Sequence, residues 1–235
     1  MLDFKTGEVF AIDKPYGISS FGALARARYL LTKTLGHKVK IGHAGTLDPL
    51  DTGVLVLCTG RCTKQIETFQ SHTKEYEATL QLGATTPSYD CEHPVDATYP
   101  TAHITAELLA EVLSRFVGNI AQVPPSYSAC KVEGKRAYSL RRTGEEVVLK
   151  AKDVCIHSIE LLRFDATAMQ ADIRVVCGKG TYIRALARDV GRALNSGAYL
   201  TALRRTRVGD FNLSRCVQLD SFQEWLNQQE IVTTI

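Results

Sequence analysis

Lys74-Glu-Tyr-Glu-Ala-Thr-Leu-Gln-Leu82 is the stretch on which the fold class turns. Tyr76, Ala78, Leu80 and Leu82 fall on one face, and Glu75, Glu77, Thr79 and Gln81 on the other. Successive side chains of a strand point to opposite sides, so this alternation predicts a β-strand. Upstream, Val54-Leu-Val-Leu-Cys58 predicts a buried strand, preceded by a loop with Gly42, Gly45 and Gly53. Ser20 is placed to cap a helix over 21–35, with Gly36 as its stop. Residues 8–13 predict another strand, ended by the turn sequence Lys14-Pro-Tyr-Gly17. Downstream, residues 84–100 hold three prolines and suggest a loop. Thr105 then caps a helix with the face Leu108, Leu109, Val112, Leu113, Phe116 and Val117, stopped by Gly118. Strands are predicted over 154–164 and 169–177, and a helix over 181–194 with Ile183, Leu186, Ala187, Val190 and Leu194 inward. A last helix over 221–228 has Ser221 and Glu224 at capping-box spacing. Strands and helices mix without a βαβ rhythm. The expected fold is α+β, with a mixed, mainly antiparallel central sheet flanked by helices.

The 235 residues suit one large domain or two small ones. Hydrophobic content of 45% and charged content of 23% fit a folded globular chain and not a disordered one. Net charge is +3, so bulk charge alone does not call for a nucleic-acid partner. The seven cysteines are odd in number and irregular in spacing, without Cys-x-x-Cys, which disfavours a disulfide framework or zinc ribbon. Cys58 and Cys62 are expected as buried small hydrophobes. The N-terminus shows no signal-peptide pattern, and the longest apolar run is far too short to span a bilayer. The expectation is a cytoplasmic protein with reduced thiols and no membrane association.

Three segments could carry chemistry. The loop over 41–53 sets His43, Asp48 and Asp51 among three glycines and Pro49. A residue before proline is pushed toward extended backbone, so Asp48 is displayed on a loop. Its carboxylate suits a nucleophile or general base. The same residues also suit an ordinary tight turn. Gly178-Lys-Gly-Thr-Tyr-Ile-Arg184 joins a strand to a helix start, where anions bind well. Arg184 could pair with a carboxylate or phosphate, and Tyr182 could stack on a base, or the two could be a solvent-facing Arg and a core Tyr. Third, basic residues cluster: Lys131, Lys135, Arg136, Arg141 and Arg142 with Tyr127 and Tyr138; Arg204, Arg205 and Arg207; and Arg184, Arg188 and Arg192 at four-residue spacing. Such segregation suggests a nucleic-acid track, although any one cluster is commonly a solvated face.

Taken together, these segments resemble the TruB-type tRNA pseudouridine synthases. The matching motifs are Lys14-Pro-Tyr-Gly-Ile-Ser-Ser20, Gly42-His-Ala-Gly-Thr-Leu-Asp-Pro-Leu-Asp-Thr-Gly-Val54, Gly60-Arg-Cys-Thr-Lys64, Lys74-Glu-Tyr76, Pro124-Pro-Ser-Tyr-Ser-Ala-Cys-Lys131, Gly134-Lys-Arg-Ala-Tyr138, Gly178-Lys-Gly-Thr-Tyr-Ile-Arg184 and Leu203-Arg-Arg205. They run in family order over most of the chain. The resemblance implies the pseudouridine-synthase catalytic fold, as a single domain over 1–235. It implies isomerisation of uridine to pseudouridine at position 55 in the T-arm stem-loop of tRNA. No metal or organic cofactor is implied, and a monomer is expected.

By the same likeness Asp48 is the nucleophile, acting on a uridine flipped out of its stack. Tyr76 would stack on the uracil. Tyr182 would line the sugar near the proton-transfer step, and Arg184 would pair with the Asp48 carboxylate. His43 and Lys131 would contact the RNA, and Leu203 would close the pocket. Three departures stand out: Asp51 where the family has a small or apolar residue, Ser19 for a common Thr, and Cys62 for a common Ala. Larger members carry a C-terminal RNA-binding module. About 28 residues follow Arg207 here, so a separate module is not expected. Residues 84–150 are a candidate RNA-clamping insertion. Two other readings stay open: an RNA-binding or tRNA-folding protein in which catalysis is secondary, and the same chemistry on another RNA.

Overall fold

The computed structural model describes residues 1–127, 131–132, 135–136 and 149–232. In chain order its elements are β1 (Val9–Lys14), α1 (Ser20–Leu35), β2 (Ile41–His43), β3 (Thr52–Thr59), α2 (Ile66–Ser71), β4 (Lys74–Leu82), β5 (Ala84–Thr85), β6 (Ala97–Thr98), α3 (Ala106–Ser114), β7 (Gly118–Gln122), β8 (Lys131–Val132), β9 (Lys135–Arg136), β10 (Lys152–Asp165), β11 (Gln170–Cys177), α4 (Ile183–Ala193), β12 (Ala198–Val208), β13 (Phe211–Asn212), β14 (Cys216–Gln218) and α5 (Phe222–Asn227). The fold is mixed α+β and its sheet pairings are mostly antiparallel, as the sequence predicts. Parallel pairs join β1 to β14 and β3 to β12. No helix among the described residues is long and apolar enough to cross a membrane.

The chain divides into two compact units, Met1–Tyr76 with Arg204–Ile235, and Glu77–Leu203. In the first unit the strand order is β14-β1-β3-β12, with β2 paired to β3 and β13 to β12. Both faces of β1 and β3 are covered. Phe10, Ile12, Leu55 and Leu57 pack under α1 and α5 with Ala23, Leu24, Ala27, Leu31, Phe222 and Leu226. Ala11, Val54 and Val56 pack on the other side with Ala44 and Val208. Two-sided burial is why β3 is an unbroken apolar run. Phe4, Phe10, Phe222 and Trp225 form a ring cluster with centroids 5.4–6.4 Å apart.

In the second unit the order is β12-β4-β11-β10-β7. The alternation of β4 is realised, with Ala78, Leu80 and Leu82 buried. They join Ala171, Ile173 and Val175 of β11 in the core. α3 buries Leu109, Val112 and Leu113, and Thr105 caps it through a bond accepted from the Leu108 amide. This helix ends at Ser114, short of the predicted Gly118, which instead opens β7 at φ +108. Residues 84–127 supply β5, β6, α3 and β7 to this unit.

Two predicted caps shift. α1 is capped by Ser19, whose hydroxyl accepts from the Gly22 amide, while Ser20 is the first helical residue and is buried. Ser221 precedes α5 without a side-chain cap bond, its hydroxyl donating to the Gln218 carbonyl, so the capping box does not form. Gly36 ends α1 in the left-handed region, φ +73, as its position predicts.

Candidate active site

The loop between β2 and β3 is built from inside the first unit. β2 pairs antiparallel with β3, His43 opposite Leu57, and the Ala44 amide continues the ladder to Val56. The chain then leaves the sheet for residues 45–51. Three anchors fix it. The buried Ser20 hydroxyl both donates to the Leu47 carbonyl and accepts from the Leu47 amide, each at 2.8 Å. The Gly17 amide donates to the Pro49 carbonyl at 2.9 Å. The Asp51 carboxylate accepts from the Asp48 amide at 2.9 Å, and the Asp51 amide donates to the Asp48 carbonyl at 3.1 Å. Asp51 thus braces the turn that presents Asp48, and the Asp48 side chain is half-buried.

Two buried cations lie under this loop, and the sequence motifs do not single them out for it. Lys14 is 0% exposed. Its ammonium donates to the carbonyls of Ile18 at 2.7 Å, Pro15 at 3.0 Å and Pro49 at 3.4 Å. Burial lowers its pKa to about 8, against the attraction of Asp51 and Asp48, which raises it. Arg205 on β12 is 1% exposed and donates to the carbonyls of Val54, Gly45 and Thr46. Gly53 stands opposite it in the parallel ladder at φ +104, where a Cβ would overlap the Arg205 backbone. The turn is therefore stitched to both neighbouring strands, with positive charge beneath two carboxylates. The pKa of His43 is lowered by burial and then by Arg205, and its Nδ1 is buried without a hydrogen-bond partner. Tyr76 lies on the buried face of β4, 7% exposed.

In the second unit Arg184 sits in the first turn of α4 and is buried. Its guanidinium donates to the carbonyls of Ser88 at 3.1 Å and Tyr127 at 2.9 Å, and its Nε lies 3.5 Å from the Asp90 carboxylate. Asp90 is itself bonded by the Ser88 hydroxyl at 2.5 Å and the Glu92 amide at 2.9 Å. The solvent-facing alternative for Arg184 is excluded. Tyr182 is the residue before α4, and its backbone is clamped by Gln122 of β7: the Tyr182 amide donates to Oε1 and Nε2 donates to the Tyr182 carbonyl. Leu203, in β12, is buried. Asp48, His43 and Tyr76 belong to the first unit, and Tyr182, Arg184 and Leu203 to the second. Lys131 belongs to β8. Its side chain and those of Lys135 and Arg136, together with Tyr138, Arg141 and Arg142, lie outside the described residues.

In two of the three basic clusters most of the charges are paired or buried. Arg188 makes a bidentate pair with Asp189, donates to the Val123 carbonyl and lies 5.6 Å from the Tyr89 ring centre. Of the α4 stripe only Arg192 is exposed. Arg204 pairs with Asp13 at 2.7 Å and Arg207 lies 3.4 Å from Glu75, while Arg205 is inside. An acid from another strand answers each of the two outward charges of β12. Sequence spacing does not reveal those neighbours. Asp90 escapes the sequence for the same reason: its loop shows prolines and polar residues, and nothing local marks one acid as buried.

The six described cysteines are free. Cys58 is buried as predicted, its thiol pushed up to about 11 by burial and then by Cys62. Cys62 is only half-buried, contrary to expectation. Among the described residues, no group of three or more His, Cys, Asp or Glu is arranged to hold a metal ion.

A model of the TruB family pseudouridylate synthase N-terminal domain matches residues 32–183, and one of the tRNA pseudouridylate synthase B C-terminal domain matches 184–234. Their junction falls inside α4. The chain is 61% identical to a tRNA pseudouridine synthase B of Phocaeicola vulgatus over 235 residues, 100% of this chain and 99% of that protein. It is 48% identical to one of Bordetella pertussis over 92% of this chain and 86% of that protein. Among solved structures, a chain of a Cbf5-Nop10-Gar1 complex aligns with a TM-score of 0.70 at 27% identity, over 95% of this chain and 55% of that one.

Proposed function

This chain belongs to the TruB family of pseudouridylate synthases, and we propose that it isomerises uridine 55 in the TΨC arm of tRNA, with Asp48 as nucleophile. The observation that carries the choice of Asp48 is the turn itself. Asp51, the rival carboxylate, is engaged with the Asp48 amide and holds the loop. Asp48 is the carboxylate that this brace presents. Lys14 and Arg205 lie beneath the loop, and Asp51 and Asp48 attract the Lys14 charge.

The reaction breaks the C1′–N1 bond, turns the uracil, joins C5 to C1′ and releases the C5 proton. Asp48 would either hold C1′ covalently or draw a proton on a glycal route while the base rotates. The target uridine would be flipped out of its stack, as chemistry on a base requires. Tyr76 would stack on the detached ring and Leu203 would enclose it. Tyr182 would lie along the sugar. Arg184 would supply the cation that the family likeness assigns to the nucleophile. His43, with its Nδ1 lacking a hydrogen-bond partner, would meet the displaced bases, and Lys131 the RNA backbone. The reading includes a monomeric cytoplasmic enzyme using neither metal nor organic cofactor.

The test is turnover on an unmodified tRNA transcript, with pseudouridine mapped by position. Asp48→Asn is expected to abolish product, a loss of at least about 10³-fold, while tRNA binding stays close to wild type. Asp51→Asn is expected to slow turnover while leaving it measurable. The reverse pattern would move the nucleophile to Asp51. Rescue of a deletion strain's phenotype by Asp48→Asn would favour the RNA-folding reading. A mapped site in another RNA would favour the third.

A further inference from the structure

We propose that the outward face of α1, together with Tyr16 in the turn before it, is an RNA-binding track that starts beside the Asp48 loop. The inference rests on the proposed function in taking the substrate to be RNA, and adds where that RNA lies. Tyr16, Phe21 and Tyr29 are 66%, 65% and 65% exposed, among the most exposed large apolar side chains of the chain. Phe21, Arg28, Tyr29 and Lys33 stand at helical offsets of 0, 7, 8 and 12, one face of a 3.6-residue helix. The opposite face carries the buried Ala23, Leu24, Ala27 and Leu31, so these aromatics are not core residues turned outward by fraying. Arg28 and Lys33 are exposed.

Charge selects the partner. From Lys14 to Leu47 the sequence has six basic residues and no Asp or Glu. Lys14 is buried and Arg26 turns aside to Asp220 at 2.8 Å, which leaves Arg28 and Lys33 on the aromatic face. Cations interleaved with exposed rings match a polyanion that also offers flat π faces, so phosphates would meet Arg28 and Lys33 while bases stack on the rings. A second copy of this chain is a poorer fit, because a two-fold contact would bring like charges together.

Position supports the same partner. Ser20 holds Leu47, and Gly17 holds Pro49, so the start of α1 is bonded to the turn that presents Asp48. From Phe21 to Lys33 the helix rises about 18 Å, enough to follow several nucleotides away from the target base.

The test measures affinity for an unmodified tRNA transcript as a function of salt, using the full chain. Phe21→Ala with Tyr29→Ala is expected to weaken binding at least about 10-fold. Arg28→Gln with Lys33→Gln is expected to weaken binding and to reduce the slope of log affinity against log salt by about 1–2. Both double variants should keep the wild-type melting temperature. Unchanged affinity and slope in both, with a tRNA-modifying wild type, would overturn the track alone. Loss of affinity in a wild type that forms no pseudouridine would uphold the track and defeat the functional reading. A dimer that either variant dissolves would assign the face to a second copy and overturn the proposal.

Discussion

Helices α1 and α4 both carry basic residues at helical spacing, and the structure uses them in opposite ways. In α4 Arg184 and Arg188 are buried, each with a carboxylate and backbone carbonyls as partners. In α1 Arg28 and Lys33 are exposed beside aromatic rings. The difference lies partly in the helix, where Asp189 of α4 pairs with its neighbour Arg188, and partly in the surroundings. α4 has Asp90 and Asp189 within reach and carbonyls from residues 88, 123 and 127. α1 comes from a stretch with no acidic residue, and its one described ion pair is Arg26 with Asp220. A cation run marks an RNA surface only where no acid from elsewhere in the fold neutralises it.

The largest test of this contrast removes one arginine from each helix. Arg184→Ala strands the buried Asp90 charge and two carbonyls. Breaking such a pair from one side is expected to cost about 3–5 kcal/mol in urea unfolding. Arg28→Ala should stay within about 0.5 kcal/mol of wild type. Equal costs would break the contrast.

Lys14 offers a second test, because it is a buried cation that can lose its proton. Its folded pKa is about 8 and its ordinary value 10.5. Between these two the unfolded chain holds a proton that the folded chain has released, so stability rises with pH. The penalty for burying the charge is full below pH 8 and relieved by pH 10.5. The stability of wild type relative to Lys14→Met should therefore climb across that window, by about 2–3 kcal/mol. A flat difference would mean that the ammonium is better solvated by its three carbonyls than its burial suggests.

The contrast also marks what a sequence can show. β4 and β3 are legible because alternation and continuous apolarity are local patterns. The turn that carries Asp48 is legible because its motif is contiguous. β12 is not, since Arg205 sits where an apolar residue would complete the pattern, and its burial depends on carbonyls of a strand some 150 residues upstream. Spacing picks out Arg184, but not Asp90 or the Ser88 carbonyl, 96 residues before it. Spacing marks Ser20 as a cap, whereas the Leu47 backbone that it holds lies 27 residues away. Local patterns place elements. Buried polar partners come from chain crossings that local patterns do not encode.

Arg188→Lys is a finer test within α4. Lysine keeps the charge but cannot reproduce the two-pronged pair with Asp189, the bond to Val123 or the guanidinium position near Tyr89. A loss of about 1–2 kcal/mol is expected, smaller than for Arg184→Ala because the Asp189 side chain is part-exposed. No loss would mean that charge alone holds this corner.

The smallest expected effect on stability carries the sharpest contrast. Arg28→Gln should leave the unfolding midpoint unchanged, since an exposed cation on a solvated helix face contributes little to folding. Phe21→Ala should do the same, because the ring is exposed and its removal opens no cavity in the core. If both are silent in unfolding but weaken tRNA binding, the exposed residues of α1 serve a partner and not the fold. If Phe21→Ala instead destabilises the protein by more than about 1 kcal/mol, the ring is packing against its own chain. The aromatic face of α1 would then be structure and not an RNA surface.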